Sequence, residues 1–139
     1  MTEQTNPQLT EDEIIAWSKE AYQRATGFLA EKGVVTETVS MENSRYLAPV
    51  IAIWKLKSTD GKWFWVICGD VPTDLLTEES ADDPRSAVRA FSMRWQLQAE
   101  NIRANSEADK TQLEFAALLQ GRAEGLYQLF ENETLWQSH

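Results

Sequence analysis

The stretch Lys62-Trp63-Phe64-Trp65-Val66-Ile67-Cys68-Gly69-Asp70-Val71-Pro72-Thr73-Asp74 decides the fold of this chain. It follows the turn Thr59-Asp60-Gly61, and Asp-Gly between two apolar runs is a strong hairpin signal. The pattern predicts two antiparallel strands, over residues 50–57 and 62–69. Because Trp63 to Cys68 is almost unbroken in its apolarity, we expect the second strand to be covered on both faces.

Three stretches with helical periodicity surround this hairpin. The first begins at the capping box Thr10-Glu11-Asp12-Glu13 and runs to about Lys32. The second begins at Asp83-Pro84, an acidic cap followed by proline, and runs to about Ala104. The third runs from about Ala108 or Asp109 to Phe130.

The β-branched run over residues 34–40 adds a candidate edge strand. Together these patterns predict an α+β fold with an N-terminal helix, a small antiparallel sheet of two or three strands, and two long C-terminal helices. A chain of 139 residues favours one domain, over residues 10–139, after a disordered lead over residues 1–9.

The second predicted helix is apolar on two sides, which predicts that it lies between the sheet and another helix. Trp95 on its first side is expected to anchor the core. The first side comprises Val88, Phe91, Trp95, Ala99 and Ile102, and the second comprises Ala90, Met93, Leu97 and Ala104.

Composition argues against several classes of function. The net charge of −9 disfavours binding to nucleic acid and to anionic membranes. The first residues do not resemble a signal peptide, and no apolar run approaches the roughly 20 residues of a membrane helix. One cysteine, Cys68, fits a reducing compartment, so we expect a cytoplasmic protein.

The single histidine, His139, makes a histidine-based metal site, a serine–histidine triad or a cysteine–histidine dyad improbable. We therefore expect no metal and no cofactor. Cys68 lies in an apolar strand, where cysteine usually behaves as an inert hydrophobe.

The corner from Gly69 to Asp74 is the first candidate site, because loops that follow strands often carry function. Asp70 and Asp74 are a candidate carboxylate pair for acid–base chemistry or cation binding, or they simply close a turn. Arg94 is expected to pair with one of them, either as a structural ion pair or as an anion-binding group.

Two further patterns have both a structural and a functional interpretation. The arginines Arg85, Arg89 and Arg103 share a helix face, and neutralisation within the chain is favoured over a site for nucleic acid or an acidic partner. The strip Ala117, Gly121 and Gly125 carries glycine inside a helix at a cost of about 1 kcal/mol each. Close approach of another helix would offset that cost, either within the fold or across a homodimer.

Several stretches, in order along most of the chain, carry a resemblance to a known family. They are Ser44-Arg45-Tyr46-Leu47-Ala48-Pro49, Ile53-Trp54-Lys55, Gly69-Asp70-Val71-Pro72-Thr73-Asp74, Phe91-Ser92 with Arg94-Trp95-Gln96, and Leu126-Tyr127-Gln128-Leu129-Phe130-Glu131-Asn132-Glu133. In these stretches the chain resembles the proteobacterial family grouped as domain of unknown function 4826. The resemblance implies a small bacterial protein and no activity, cofactor or catalytic residue.

Two functional hypotheses follow from these observations. The first is a non-catalytic module that binds a protein partner, because the surface is acidic, aromatic residues are many and catalytic residues are few. The second is a small enzyme or ligand-binding protein that uses Asp70, Asp74 and Arg94 with Tyr46 or Trp54.

Overall fold

The computed structural model describes residues 9–137. The disordered lead expected over residues 1–9 therefore lies, apart from Leu9, outside the described residues, as does His139. The elements in chain order are α1 (Glu11–Glu31), β1 (Thr36–Val39), β2 (Arg45–Leu47), β3 (Ile51–Ser58), β4 (Trp63–Gly69), β5 (Asp74–Thr77), a 3₁₀ helix (Glu78–Ser80), α2 (Pro84–Ala104), α3 (Lys110–Glu131) and a 3₁₀ helix (Glu133–Trp136).

The sheet grows from the predicted hairpin of β3 and β4, whose register runs from Ile51 opposite Gly69 to Lys57 opposite Trp63. Both β1 and β2 pair with the other side of β3, and β5 pairs with the far side of β4. All of these pairings are antiparallel. The α+β class is confirmed, but the expected two or three strands are too few, because the described chain forms five.

The strands β2 and β5 were missed because they are short and carry polar residues. Their sequences, Arg45-Tyr46-Leu47 and Asp74-Leu75-Leu76-Thr77, show little of the apolar alternation that marks a strand. The long central strands supply the hydrogen-bonding partners that hold them. The tertiary context therefore decides these two strands, and local propensity does not.

Helices cover both faces of the sheet, because side chains alternate along each strand. Ala52, Trp54, Leu56, Val66 and Cys68 pack with α1 residues such as Leu29. On the opposite face, Ile51, Ile53, Trp65 and Ile67 pack with buried residues of α2 and α3. As predicted, β4 is covered on both sides.

Helix α2 packs against both the sheet and α3, but it does so with adjacent faces. Its buried Ser92 donates a hydrogen bond of 2.7 Å to the carbonyl of Ala123 in α3, and the neighbouring Trp95 reaches β5. The expectation that the second apolar side of α2 is buried is wrong. Met93 and Leu97 are both exposed.

The small-residue strip on α3 does not contact another helix in the part of the chain that the structure describes. Ala117, Gly121 and Gly125 are exposed, and a methyl group added at either glycine would meet nothing within 4 Å. The close approach of another helix within the described chain therefore does not explain these glycines. A homodimer through this strip stays a prediction.

The C-terminal 3₁₀ helix packs back onto the domain. The Trp136 indole donates to the carbonyl of Leu129 at 2.8 Å, and the Arg45 guanidinium lies over the Trp136 ring at 5.5 Å. Arg45 also donates to the carbonyl of Leu135. These contacts tie the end of the described chain to strand β2.

Candidate functional site

The corner between β4 and β5 is shaped by the backbone at Gly69. Gly69 has a φ of +124°, a conformation that L side chains rarely adopt. The next amide, that of Asp70, donates to the carbonyl of Val50 at 2.7 Å. The chain therefore turns sharply out of β4 and returns at Asp74, the first residue of β5.

Asp74 is the centre of a hydrogen-bonded cluster at this corner. Its Oδ2 accepts from the Arg94 Nε at 3.1 Å and from the Trp95 indole Nε1 at 2.9 Å. Its Oδ1 accepts from the backbone amide of Leu75 at 2.8 Å. Because three donors already engage this largely buried carboxylate, it joins the sheet edge to α2 and is poorly placed to act as a free base.

Asp70 has a different environment from Asp74. Its side chain is 79% exposed, and its nearest cation is Arg122 of α3, 4.0 Å away. The structure therefore brings Arg94 together with Asp74 and leaves Asp70 outside that cluster. An exposed contact at this distance contributes little free energy.

We expect a double-mutant cycle between Arg94→Met and Asp74→Asn to give a coupling free energy of about 1 kcal/mol. This is less than the roughly 3 to 5 kcal/mol lost when a buried pair is broken. The reason is that the Arg94 side chain is 44% exposed, although that of Asp74 is only 19% exposed. Urea denaturation of the four proteins measures the coupling. The matched cycle with Asp70→Asn should give a value near zero, and a larger coupling there would contradict the assignment.

Two depressions meet beside this corner, and both are lined by Pro72 and Phe115. We call them together the corner groove. The first, of about 540 Å³, lies among the corner, α1, α2 and α3; the second, of about 380 Å³, lies between the corner and α3. The first is lined by Phe28, Lys32, Pro72, Thr73, Asp74, Trp95, Gln98, Asn101, Ile102, Phe115 and Leu119, and the second by Gly69, Asp70, Val71, Pro72, Phe115, Leu118 and Arg122.

The other predicted site residues, Tyr46 and Trp54, lie on the opposite face of the sheet. Tyr46 pairs with Ala52, so it shares the α1-facing side with Trp54, whereas Asp74 pairs with Ile67 on the α2-facing side. The structure thus separates the expected constellation into two places. Tyr46 and Trp54 border a second depression of about 610 Å³, which we call the aromatic cleft, lined by Ser18, Lys19, Tyr22, Gln23, Val39, Met41, Tyr46 and Trp54.

Phe115 was not among the residues proposed from the sequence, although it borders both halves of the corner groove. A signal for it existed. Phe115 lies about 100° around the helix from the buried Ala116 but only about 40° from the buried Leu119, so it is at the margin of the core-facing stripe. A large aromatic residue beside that stripe is a candidate binding residue.

The arginines Arg85 and Arg89 have a structural role at the end of α3. The Arg85 Nε donates to the carbonyl of Phe130 at 2.8 Å, and both guanidinium groups lie within 6.0 Å of the Phe130 ring centroid. Cations are favourable at a helix C-terminus, where carbonyl groups lack helical partners. Among residues 9–137, neither arginine lies within 4.0 Å of a carboxylate, so the structure does not show the expected neutralisation of these two charges within the chain.

Within residues 9–137, no group of three or more histidine, cysteine, aspartate or glutamate side chains is placed to hold a metal ion. None of the helices described is both long enough and apolar enough to cross a membrane.

Cys68 should react slowly with thiol reagents at neutral pH. Burial raises the pKa of its thiol, while the nearby Trp54 indole and Arg24 act in the opposite direction. The thiolate, the reactive form, therefore becomes populated only at higher pH than for a free cysteine. Labelling with a chromogenic disulfide at pH 7 should be slow in buffer and fast in denaturant. Rapid stoichiometric labelling of the folded protein would contradict this expectation.

The fold and grooves define a class of protein: a small α+β domain with an antiparallel sheet covered by helices on both faces and an apolar groove at one corner. Residues 11–136 match the family described as a domain of unknown function (DUF4826), and the chain belongs to that family. No curated protein and no solved structure matches the chain.

Proposed function

We propose that this protein is a non-catalytic binding module that recognises a protein partner through the corner groove. The observation that carries the proposal is the continuity of apolar surface across the two halves of the groove, which meet at Pro72 and Phe115. Phe115 is 46% exposed and Leu118 is 42% exposed. Large apolar side chains that stay exposed beside a concave surface are typical of protein interfaces.

The charged groups around the groove support binding rather than catalysis. Asp74 is engaged by three donors, and Asp70 is almost fully exposed, so neither is arranged as a general base. The amides of Gln98 and Asn101 lie one helical turn apart on α2 and both line the groove. Side-chain amides of this kind can donate to and accept from the backbone of a peptide.

We further propose a cytoplasmic location in a proteobacterial cell. The single cysteine, Cys68, is buried and free, which suits a reducing compartment.

The experiment that tests the binding proposal is affinity capture from the native lysate, with quantitative mass spectrometry of the proteins retained. The variants Phe115→Ala and Leu118→Asp should each lose a partner that the wild-type protein retains. Truncation of a central interface residue typically costs about 2 kcal/mol or more, which is roughly 30-fold in affinity. The matched control is Leu97→Asp, on the exposed outer face of α2, and it should retain the partner. Identical capture by all four proteins would refute the groove as the binding surface.

A second candidate function, a small enzyme or small-ligand binder at the 69–74 corner, is favoured by one observation. Among the described residues, the Arg94 guanidinium hydrogen-bonds to a side chain only through its Nε. Its two terminal nitrogens are therefore left to bind an anion. NMR titration with acetate and with inorganic phosphate tests this candidate. A saturable shift of the Arg94 Nε–H resonance, together with shifts of the backbone amides of residues 70–75 that Arg94→Gln abolishes, would favour the ligand-binding function over the protein-binding one.

A further inference from the structure

The aromatic cleft on the α1 side of the sheet is separate from the corner groove and has no part in the function proposed above. It lies between α1 and the strands that flank β3, and its volume of about 610 Å³ is within the range of small-molecule sites. Its walls come from α1 through Tyr22, from β2 through Tyr46 and from β3 through Trp54. Side chains on a helix and two paired strands give a site a rigid frame.

The three rings of the cleft are packed on one another. Tyr22 meets Trp54 edge to face, with centroids 5.4 Å apart and planes at 74°. Tyr46 lies 6.2 Å from Trp54 with its plane tilted by 34°. Because the rings contact each other, they form a platform and do not enclose a space in which a quaternary ammonium group would fit.

Exposure shows which ring of this platform a ligand would meet. Trp54 is the floor, with only 3% of its surface exposed, whereas Tyr46 is 38% exposed. Met41, also exposed, stands beside them. An exposed aromatic ring next to a flexible thioether favours a flat apolar group that can stack on one and contact the other.

Charge decides between an anionic and a cationic ligand. Among residues 9–137, Lys19 is the only charged residue that lines the cleft, and no carboxylate of these residues lies within 4.0 Å of it. A cationic ligand would be repelled by Lys19 and would find no carboxylate on the walls. The chain as a whole carries a charge of −9, so a polyanion is disfavoured and a single negative charge is the better match.

We propose that the aromatic cleft binds a small planar aromatic molecule that carries one carboxylate. The ring stacks on Tyr46 over the Trp54 floor, and the carboxylate pairs with the Lys19 ammonium at the rim. Gln23 and the tyrosine hydroxyls supply neutral hydrogen-bonding groups at the same walls.

Three naphthalene probes whose single substituents are negative, neutral and positive test the proposal by ¹H–¹⁵N NMR titration of the full chain. They are 2-naphthoate, 2-naphthalenemethanol and 2-naphthylmethylammonium. We expect 2-naphthoate to bind most tightly and to shift resonances of residues 18–23, 39–46 and 54. Lys19→Gln should remove the preference for 2-naphthoate over the neutral probe. Tyr46→Ala should weaken the binding of 2-naphthoate and of the neutral probe by about tenfold each.

Two further variants keep the test independent of folding defects. Met41→Glu adds a carboxylate beside the cleft at an exposed position and should weaken 2-naphthoate by a larger factor than the ammonium probe. Tyr127→Ala removes a similarly exposed tyrosine from α3 and should leave binding unchanged. Tighter binding of the ammonium probe, unchanged binding by Tyr46→Ala, or shifts confined to the corner groove would each overturn the proposal. Phe115→Ala, which tests the corner groove, should not affect any probe.

Discussion

Replacing Trp95 with alanine is expected to lower the free energy of unfolding by about 3 to 5 kcal/mol. The Trp95 ring is buried in the main core beside Phe91, with ring centroids 6.1 Å apart. Alanine would leave a large cavity between the sheet and α2. It would also remove the indole donor to Asp74, whose carboxylate is mostly buried. Urea denaturation followed by circular dichroism measures the loss, since the variant also lacks one fluorophore.

The variant Trp95→Phe separates the two contributions. Phenylalanine keeps most of the apolar volume but cannot donate to Asp74, so we expect a loss of about 1 to 3 kcal/mol, smaller than that of alanine. If Trp95→Ala left the denaturation midpoint unchanged, the indole could not be a core residue. If the phenylalanine variant were as unstable as the alanine variant, the hydrogen bond and not packing would dominate.

The helices could be predicted from sequence because their signals are local. Thr10 and Glu13 form the predicted capping box, and Asp83 caps α2 by accepting from the amide of Ser86. Each of these contacts lies within one helical turn, so the residues that make it are neighbours in the chain. The hairpin of β3 and β4 could be predicted equally well, because its Asp-Gly turn and both apolar runs are contiguous in the sequence.

Strand β5 and the burial of the faces of α2 could not be predicted from local sequence in the same way. Asp74 begins a strand only because β4 offers it a partner, and its carboxylate is held by residues about 20 positions later. Met93 and Leu97 have the spacing of a buried face, yet they are exposed because α3 packs on the side of α2 that carries Ser92. Periodicity finds apolar faces but not which of them a distant helix will cover.

The candidate site shows the same division. The pairing of Arg94 with the 69–74 corner follows from adjacent segments, whereas the distance of Tyr46 and Trp54 from that corner follows from strand register. A residue's face is set by its cross-strand partner, and a shift of one residue moves the side chain to the other side of the sheet. The corner groove itself also needs Phe28 from α1 and Phe115 from α3, which only the folded chain brings together.

Replacing Gly69 with alanine is expected to destabilise the protein by roughly 3 kcal/mol or more, because the new methyl group has no space. An ideal Cβ at this position would lie 2.4 Å from the Val50 carbonyl oxygen and 2.8 Å from the Ile51 Cα. Both are backbone atoms at the start of β3, where Val50 directly precedes the strand and Ile51 is its first residue, so no side-chain rotation can relieve the clash. The φ of +124° adds a conformational penalty for any residue with a Cβ.

The matched control is Gly121→Ala, for which the expected change has the opposite sign. Gly121 lies in α3 with nothing within 4 Å of an added Cβ, so alanine should stabilise the helix by up to about 1 kcal/mol. The two glycines are therefore present for different reasons.

Gly69 is required by the backbone that forms the corner and leads the chain towards Asp74. Displacing that backbone should disturb the Asp74–Trp95 hydrogen bond as well. Urea denaturation of both variants measures the stabilities, and the Trp95 indole N–H resonance reports on the corner directly. Equal stability of Gly69→Ala and the wild-type protein would contradict the close approach of β3 and β4 at this corner.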